Sequence, residues 1–322
     1  MLGLMQDRPL LIWQLLEHGA RHHGQVEIVS RRVEGDVHRY TYRDALHRAY
    51  RVANAIDALG IAPGERIATL AWNGYRHFEL YYGVSGSERI LHTLNPRLTA
   101  EQLAWIVADA DDRVLCFDLS FLPLVQAVHA HCPSVRHWIA LCAADALPKE
   151  TGIPNLQSYE AWIGAQPAHY AWPEFDERAA SALCYTSGTT GNPKGVLYSH
   201  RSTLLHALAG SLPDSTAMSA QECVLPVVPM FHVNGWGVAY SAPMTGAKLV
   251  FPGPALDGKS VYDLIETEGV TLAAGVPTVW LALLAHVNGN GLRFSSLRRS
   301  MVGGSACAPA MVEAFRALRS EE

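Results

Sequence analysis

The residues best able to do chemistry together lie in one run, Tyr185-Thr186-Ser187-Gly188-Thr189-Thr190-Gly191-Asn192-Pro193-Lys194-Gly195-Val196. Three glycines, four Ser or Thr hydroxyls and one lysine stand within these twelve positions. Glycines let a backbone turn sharply and aim N–H groups at an anion. The hydroxyls donate to phosphate oxygens or bind a metal, and the lysine supplies the opposite charge. The chemistry implied is polyphosphate binding. The run is not a P-loop, because Lys194 follows Pro193 and precedes Gly195, whereas the P-loop needs Gly-Lys-Ser/Thr at the head of a helix. A kinase glycine-rich loop fits no better. The alternative is a surface hairpin turn, but such turns are normally built from about two to five residues.

Other clusters carry less. Gly83-Val84-Ser85-Gly86-Ser87 nearly spells a nucleophile elbow but lacks the final glycine. His129, His131 and Cys132 could ligate a metal, yet no partner cluster with zinc spacing stands elsewhere, so a solvated helix end is the better account. His22-His23 has the same explanation.

The elements that must position the loop alternate between helix and strand. An apolar strand over 181–186 enters the glycine-rich run and Val196-Leu197-Tyr198 leaves it as another. Upstream, Thr41 with Asp44 opens a capped helix that Gly60 stops, and Thr99-Ala100-Glu101-Gln102 opens a second. A helix is expected over 75–84, with strands over 66–72, 113–117 and 137–141. A polar, proline-containing stretch over 166–178 reads as a link. Beyond it, strands are expected over 223–228, 248–251, 271–274 and 300–302, and helices over 202–209, 260–268, 276–287 and 309–318. The whole is an α/β pattern with largely parallel sheets flanked by helices, in two lobes, approximately 1–175 and 176–322.

Composition sets bounds. A chain of 322 residues that is 49% hydrophobic can bury a large core. The net charge of −5 argues against a nucleic-acid partner. Six cysteines with no C-x-x-C pair read as reduced thiols of a cytoplasmic protein. Residues 269–287 are uncharged enough to tempt a membrane-span reading. Gly275 and Pro277 instead divide them into a buried strand, a turn and a helix, so no transmembrane segment is expected.

On these residues the chain resembles the adenylate-forming superfamily, which includes acyl-CoA synthetases, luciferases and peptide-synthetase adenylation domains. The signature is the run from Tyr185 to Val196. Pro229-Met230-Phe231-His232-Val233-Asn234-Gly235-Trp236 is similar to the second signature of long- and medium-chain fatty acyl-CoA synthetases, and Val302-Gly303-Gly304-Ser305-Ala306 to their adenine-binding segment. Trp72-Asn73-Gly74-Tyr75 and Leu91-His92-Thr93-Leu94-Asn95-Pro96-Arg97-Leu98 also read like that subfamily.

The resemblance implies a two-step reaction. A fatty acid attacks Mg-ATP to give an acyl-adenylate, and CoA then takes the acyl group. Thr186, Ser187, Gly188, Thr189, Thr190, Gly191 and Lys194 would hold the triphosphate, with Thr186 on Mg2+. His232 would sit by the carboxylate and α-phosphate; its alternative is a core histidine. Gly303, Gly304, Ser305 and Ala306 would pass along the adenine. Trp236, with Gly235 beside it, would gate an acyl tunnel; its alternative is a core tryptophan. A homodimer is also implied.

The family's Tyr-Gly-x-Thr-Glu motif, ribose-binding Asp, hinge and small C-terminal domain have no counterpart in these residues. The expectation is therefore the N-terminal part of a large AMP-binding domain, inactive or very weak alone. Two alternatives stay open: an aryl- or short-chain acid:CoA ligase, and a non-catalytic nucleotide-binding module. One local departure is Glu88-Arg89 beside a buried strand, where a charged pair needs mutual pairing or exposure.

Overall fold

The computed structural model describes residues 1, 3–186 and 192–318. In chain order its strands are β1 (Glu27–Arg31), β2 (Val37–Thr41), β3 (Arg66–Leu70), β4 (Ile90–Thr93), β5 (Asp112–Phe117), β6 (His137–Ala140) and β7 (Leu156–Ser158). There follow β8 (Ala180–Thr186), β9 (Lys194–Ser199), β10 (Cys223–Pro226), β11 (Lys248–Phe251), β12 (Leu272–Gly275) and β13 (Arg299–Val302). They form a six-stranded sheet, β13-β12-β10-β11-β1-β2, and a seven-stranded one, β7-β6-β5-β3-β4-β8-β9. Every pairing is parallel except the β1/β2 and β8/β9 hairpins at the two edges. Parallel strands buried on both faces read as short apolar runs, which is why most were legible in the sequence.

The sheets do not part at 175/176. β1, carrying β2 on its outer edge, leaves the first half to pair with β11, in the register Ile28↔Leu249, while β8, carrying β9, joins β4, in the register Leu91↔Ala182. The hairpin over 27–41 carries no clear strand signal in the sequence. Its strand pattern is diluted by Arg31, Arg32, Glu34 and Asp36, and Arg32 closes the turn on the Asp36 carboxylate through a hydrogen bond of 2.6 Å. The stretch over 166–178 is irregular as expected, but it is tied down. Asn54 Nδ2 donates to the carbonyls of Pro167 and His169 at 3.1 and 2.9 Å. The Trp172 ring lies so close to Gly86 that a Cβ there would be 2.7 Å from it.

Local signals produced the expected helices. Thr41 and Asp44 form a reciprocal capping box for Tyr42–Ala58, and Thr99 with Gln102 does the same for Ala100–Asp109. Pro277 sits in the first turn of Pro277–Gly289, directly after β12. No helix among the described residues is long and apolar enough to cross a membrane.

The helix Tyr75–Gly86 is buried at all twelve positions. One continuous apolar core joins it to residues of both sheets, including Leu91 and Phe251. Its charged side chains are paired. Glu79 accepts from Arg48 Nε and Tyr159 OH, both at 2.7 Å, and Arg76 bonds Glu160 and Glu34 at 2.9 and 2.7 Å. Burial pushes the Glu79 carboxyl up, and Arg48 offsets that. The near-elbow Ser85 is at the end of this buried helix and donates to the Ser181 carbonyl at 2.8 Å, so no nucleophile is presented.

Glu88 and Arg89 do not pair with each other. Arg89 is buried against the carbonyls of Ile61 and Ser87 and reaches Asp57 at 2.8 Å. Glu88 adopts φ 65° and turns away, its carbonyl accepting from Gly64 N–H at 2.7 Å.

Candidate functional site

The stem of the glycine-rich run is the β8/β9 hairpin, at the carboxyl end of the parallel strand β8, where ligands of open α/β sheets sit. Thr186 pairs with Lys194 across it, and Thr186 Oγ1 lies 3.5 Å from the Lys194 carbonyl. Both side chains are exposed. Ser187, Gly188, Thr189, Thr190 and Gly191 lie outside the described residues. Below the stem, Tyr185 donates to Asp109 at 2.6 Å, and its ring lies 5.2 Å from that of His92. His92 Nδ1 in turn is 2.8 Å from Asp112, whose carboxyl is raised by burial against the offsetting charge of His92.

The segment from Pro226 to Gly237 is held from the buried helix. Asn73, just before it, donates from Nδ2 to the carbonyls of Pro226 and Val228 at 2.7 and 2.8 Å, and its Oδ1 accepts from Met230 N–H at 2.7 Å. Tyr81 OH donates to the Met230 carbonyl at 2.5 Å. Past this clamp, Val233, Asn234, Gly235, Trp236 and Gly237 have φ of 42, 37, 59, 54 and 75°, a left-handed turn. Such backbone costs an L-residue about 1–2 kcal/mol, which falls on Val233 and Trp236, since Gly and Asn tolerate it. It persists where the surroundings over-determine it. Here Cys184 S–H donates to Asn234 Oδ1, and Thr93 Oγ1 lies 3.4 Å from the same oxygen. A Cβ on Gly237 would be 2.7 Å from His206 Nδ1, so the turn fits closely against the helix His200–Gly210.

The turn presents two of the residues singled out from sequence. The His232 side chain is exposed and Trp236 is half-buried, so neither is a core residue. The indole of Trp236 lies on Gly303, where a Cβ would come within 2.5 Å of Cη2 and 2.8 Å of Cζ2. Gly303 leaves β13 with its N–H 3.3 Å from the Gly275 carbonyl, and Trp280 Nε1 anchors the same strand on the Met301 carbonyl at 3.1 Å. Gly304 (φ 80°), Ser305 and Ala306 follow at the surface.

Three segments far apart in sequence are thereby linked. Cys184 at the loop stem holds Asn234, and Trp236, two residues on, covers Gly303. Between Trp236 and the helix His200–Gly210 opens a cavity of about 360 Å³, lined among others by Tyr198, Thr203, His206, Asn234 and Tyr240. No group of three potential metal ligands occurs among the described residues. His129, in the sequence candidate for one, sits in a 3-10 turn with Nδ1 2.9 Å from the Gln126 carbonyl. All six cysteines are free.

Sequence reasoning assigned no role to Asn73, Thr93, Cys184 or His206. The first two lay inside segments noted only for their likeness to a subfamily. A polar residue between Trp72 and Gly74 was the one local signal for Asn73, and its partners stand some 150 positions away.

The profile described as AMP-binding enzyme matches residues 15–321. The chain is 50% identical over 315 residues to a medium-chain-fatty-acid–CoA ligase of Ectopseudomonas oleovorans, covering 98% of this chain and 58% of that one. It is also 50% identical over 318 residues to a 3-methylmercaptopropionyl-CoA ligase of Ruegeria lacuscaerulensis, again covering 98% and 58%. The anthranilate CoA ligase AuaEII, solved in complex with anthranoyl-AMP, superposes with a TM-score of 0.86 at 24% identity, over 97% of this chain and 59% of that chain, a likeness of fold. The chain thus spans about 58% of the length of the curated relatives it matches.

Proposed function

Because this chain belongs to the AMP-binding enzyme family, we propose that it supplies the nucleotide and acyl sites of an acid:CoA ligase that activates a fatty acid with Mg-ATP. The observation that carries the reading is that the left-handed turn, whose Asn234 and Trp236 line the cavity, is held by Cys184 of the loop stem on one side and lies on Gly303 on the other. Lys194 neutralises phosphate charge, and the glycine-rich run supplies N–H and hydroxyl donors to the triphosphate. Oxygen donors suit magnesium, and Thr186 Oγ1 is the one this stem offers. His232, exposed at the mouth of the turn, hydrogen-bonds the carboxylate as it meets the α-phosphate. Such positioning and charge neutralisation drive this class of chemistry more than any covalent nucleophile.

Gly303 to Ala306 form the adenine wall, and Trp236 with Gly235 stands between that wall and the acyl cavity. The cavity volume falls in the usual range for small-ligand sites. The acyl-adenylate would then pass its acyl group to CoA. The free thiols, five of the six buried, suit a cytoplasmic setting.

Calorimetry on the 322-residue chain tests this with Mg-ATP and with 5′-O-(N-octanoylsulfamoyl)adenosine, a stable mimic of the acyl-adenylate. Binding of the mimic is expected to be the tighter, since it fills both sites at once. A folded chain that binds neither overturns the proposal.

A further inference from the structure

Resting on that reading of the acyl cavity, the geometry points to Asn234 as a specificity-determining residue. It recognises a hydrogen-bond acceptor on the acid's own chain, so that short acids bearing a carbonyl, hydroxyl or ether oxygen are preferred to plain alkyl acids of the same size.

Asn234 is only 8% exposed, yet half of its amide is unused. Its oxygen is occupied, accepting the Cys184 S–H with the Thr93 hydroxyl 3.4 Å away. Both partners are buried on the strands beneath, Cys184 on β8 and Thr93 on β4, so they hold the oxygen end inward. The nitrogen end carries two N–H donors and has no partner among the described residues. Asn234 lines the cavity beside Trp236, and His232 does not. The free donor therefore belongs to the part of the site that takes the acid's tail, not to the end where the carboxylate meets phosphate.

A ligand that pairs this donor is favoured over one of equal shape that displaces water from it and leaves it unpaired. The discrimination is asymmetric. A hydrophobic wall distinguishes alkyl chains weakly, whereas a polar group awaiting a partner rejects the analogue that lacks one. The left-handed backbone at Asn234 aids this role. It fixes the side chain's origin, and asparagine is among the few residues that tolerate it.

The test uses matched acyl-sulfamoyl adenosines on the full 322-residue chain: pentanoyl against 4-oxopentanoyl, and hexanoyl against 5-oxohexanoyl. In at least one pair the oxo compound is expected to bind roughly 5- to 10-fold more tightly, the worth of one hydrogen bond. Asn234→Asp keeps an acceptor for Cys184 but removes the donor, and it should bring that ratio to one or below. Asn234→Ala should bring it to about one. Loss of a merely structural support would weaken both members of a pair together and leave the ratio where it was. Equal binding of both members by the wild type, or an unchanged ratio in the variants, overturns the inference and leaves the ligase reading intact. Failure of every compound to bind the folded wild type overturns both.

Discussion

Replacing Asn73 with alanine should cost about 4 kcal/mol of folding stability. The side chain is 4% exposed and makes three hydrogen bonds of 2.7, 2.8 and 2.7 Å to the backbone of Pro226, Val228 and Met230. Each contributes about 1 kcal/mol net, which is ~3 kcal/mol for the set. The Met230 N–H has no other hydrogen-bond partner among the described residues, and a buried N–H left unpaired adds about 1 kcal/mol or more. The loss is a large fraction of a total near 5–15 kcal/mol. Urea unfolding at 25 °C measures it.

Asn73→Asp separates this account from one based on side-chain volume. The carboxylate can still accept from Met230, but it turns an oxygen toward the Pro226 and Val228 carbonyls and buries a charge. It is expected to be at least as damaging as alanine at pH 7 and to recover in part at acid pH. A loss below about 1 kcal/mol for alanine, or near wild-type stability for aspartate, would refute the clamp. The segment held this way carries His232 and Trp236, so both variants should also weaken binding of the octanoyl adenylate mimic more than that of Mg-ATP.

The remaining predictions concern charge. Arg89→Ala should cost about 3 kcal/mol, because it removes three hydrogen bonds of about 1 kcal/mol each and leaves the Ile61 and Ser87 carbonyls without that donor. Asp57→Asn, whose side chain is 42% exposed, should change urea stability by less than about 1 kcal/mol. Burial lowers His200 to about 4, so its stabilising contribution is complete above the unfolded value near 6.5 and is lost as pH falls toward 4. Wild type should therefore lose stability relative to His200→Gln across that window, and a constant difference would contradict the assignment. Asp118 runs the other way. Burial raises it to about 7, so the stability it contributes is complete below about 4 and lost as pH rises through 7, and Asp118→Asn should gain on wild type over that rise. Lys194→Ala should weaken Mg-ATP binding at least ~10-fold by calorimetry, since it is the lone cation of the run, with no change in melting temperature because its side chain is exposed.

What could be read directly was whatever neighbours in sequence decide. The capping boxes at Thr41/Asp44 and Thr99/Gln102 each lie within one turn of helix, and both stand in the structure. The division of 269–287 into strand, turn and helix followed from Gly275 and Pro277 set between apolar runs, all within one short stretch. The glycine-rich run suggested its chemistry locally, because backbone N–H groups and hydroxyls that can meet phosphate stand within a few residues of one another. The β1/β2 hairpin was not legible, because its apolar positions are interrupted by charges and its sheet partner stands more than 200 residues on. The pairing of Arg89 was misjudged for a related reason. Its partners Asp57 and Ile61 are brought close by the fold, while its chain neighbour Glu88 is turned away by a positive φ.

By itself, then, the sequence determined the α/β class and singled out the glycine-rich run and the two segments proposed to accompany it. Only the tertiary structure decided that Cys184 would hold Asn234, that Trp236 would lie on Gly303, and that Asn234 would line a cavity with its amide nitrogen unpartnered among the described residues. Motifs state which atoms are available. Which atoms meet is settled by packing between segments that stand fifty residues or more apart, and that information is carried by no single stretch of chain.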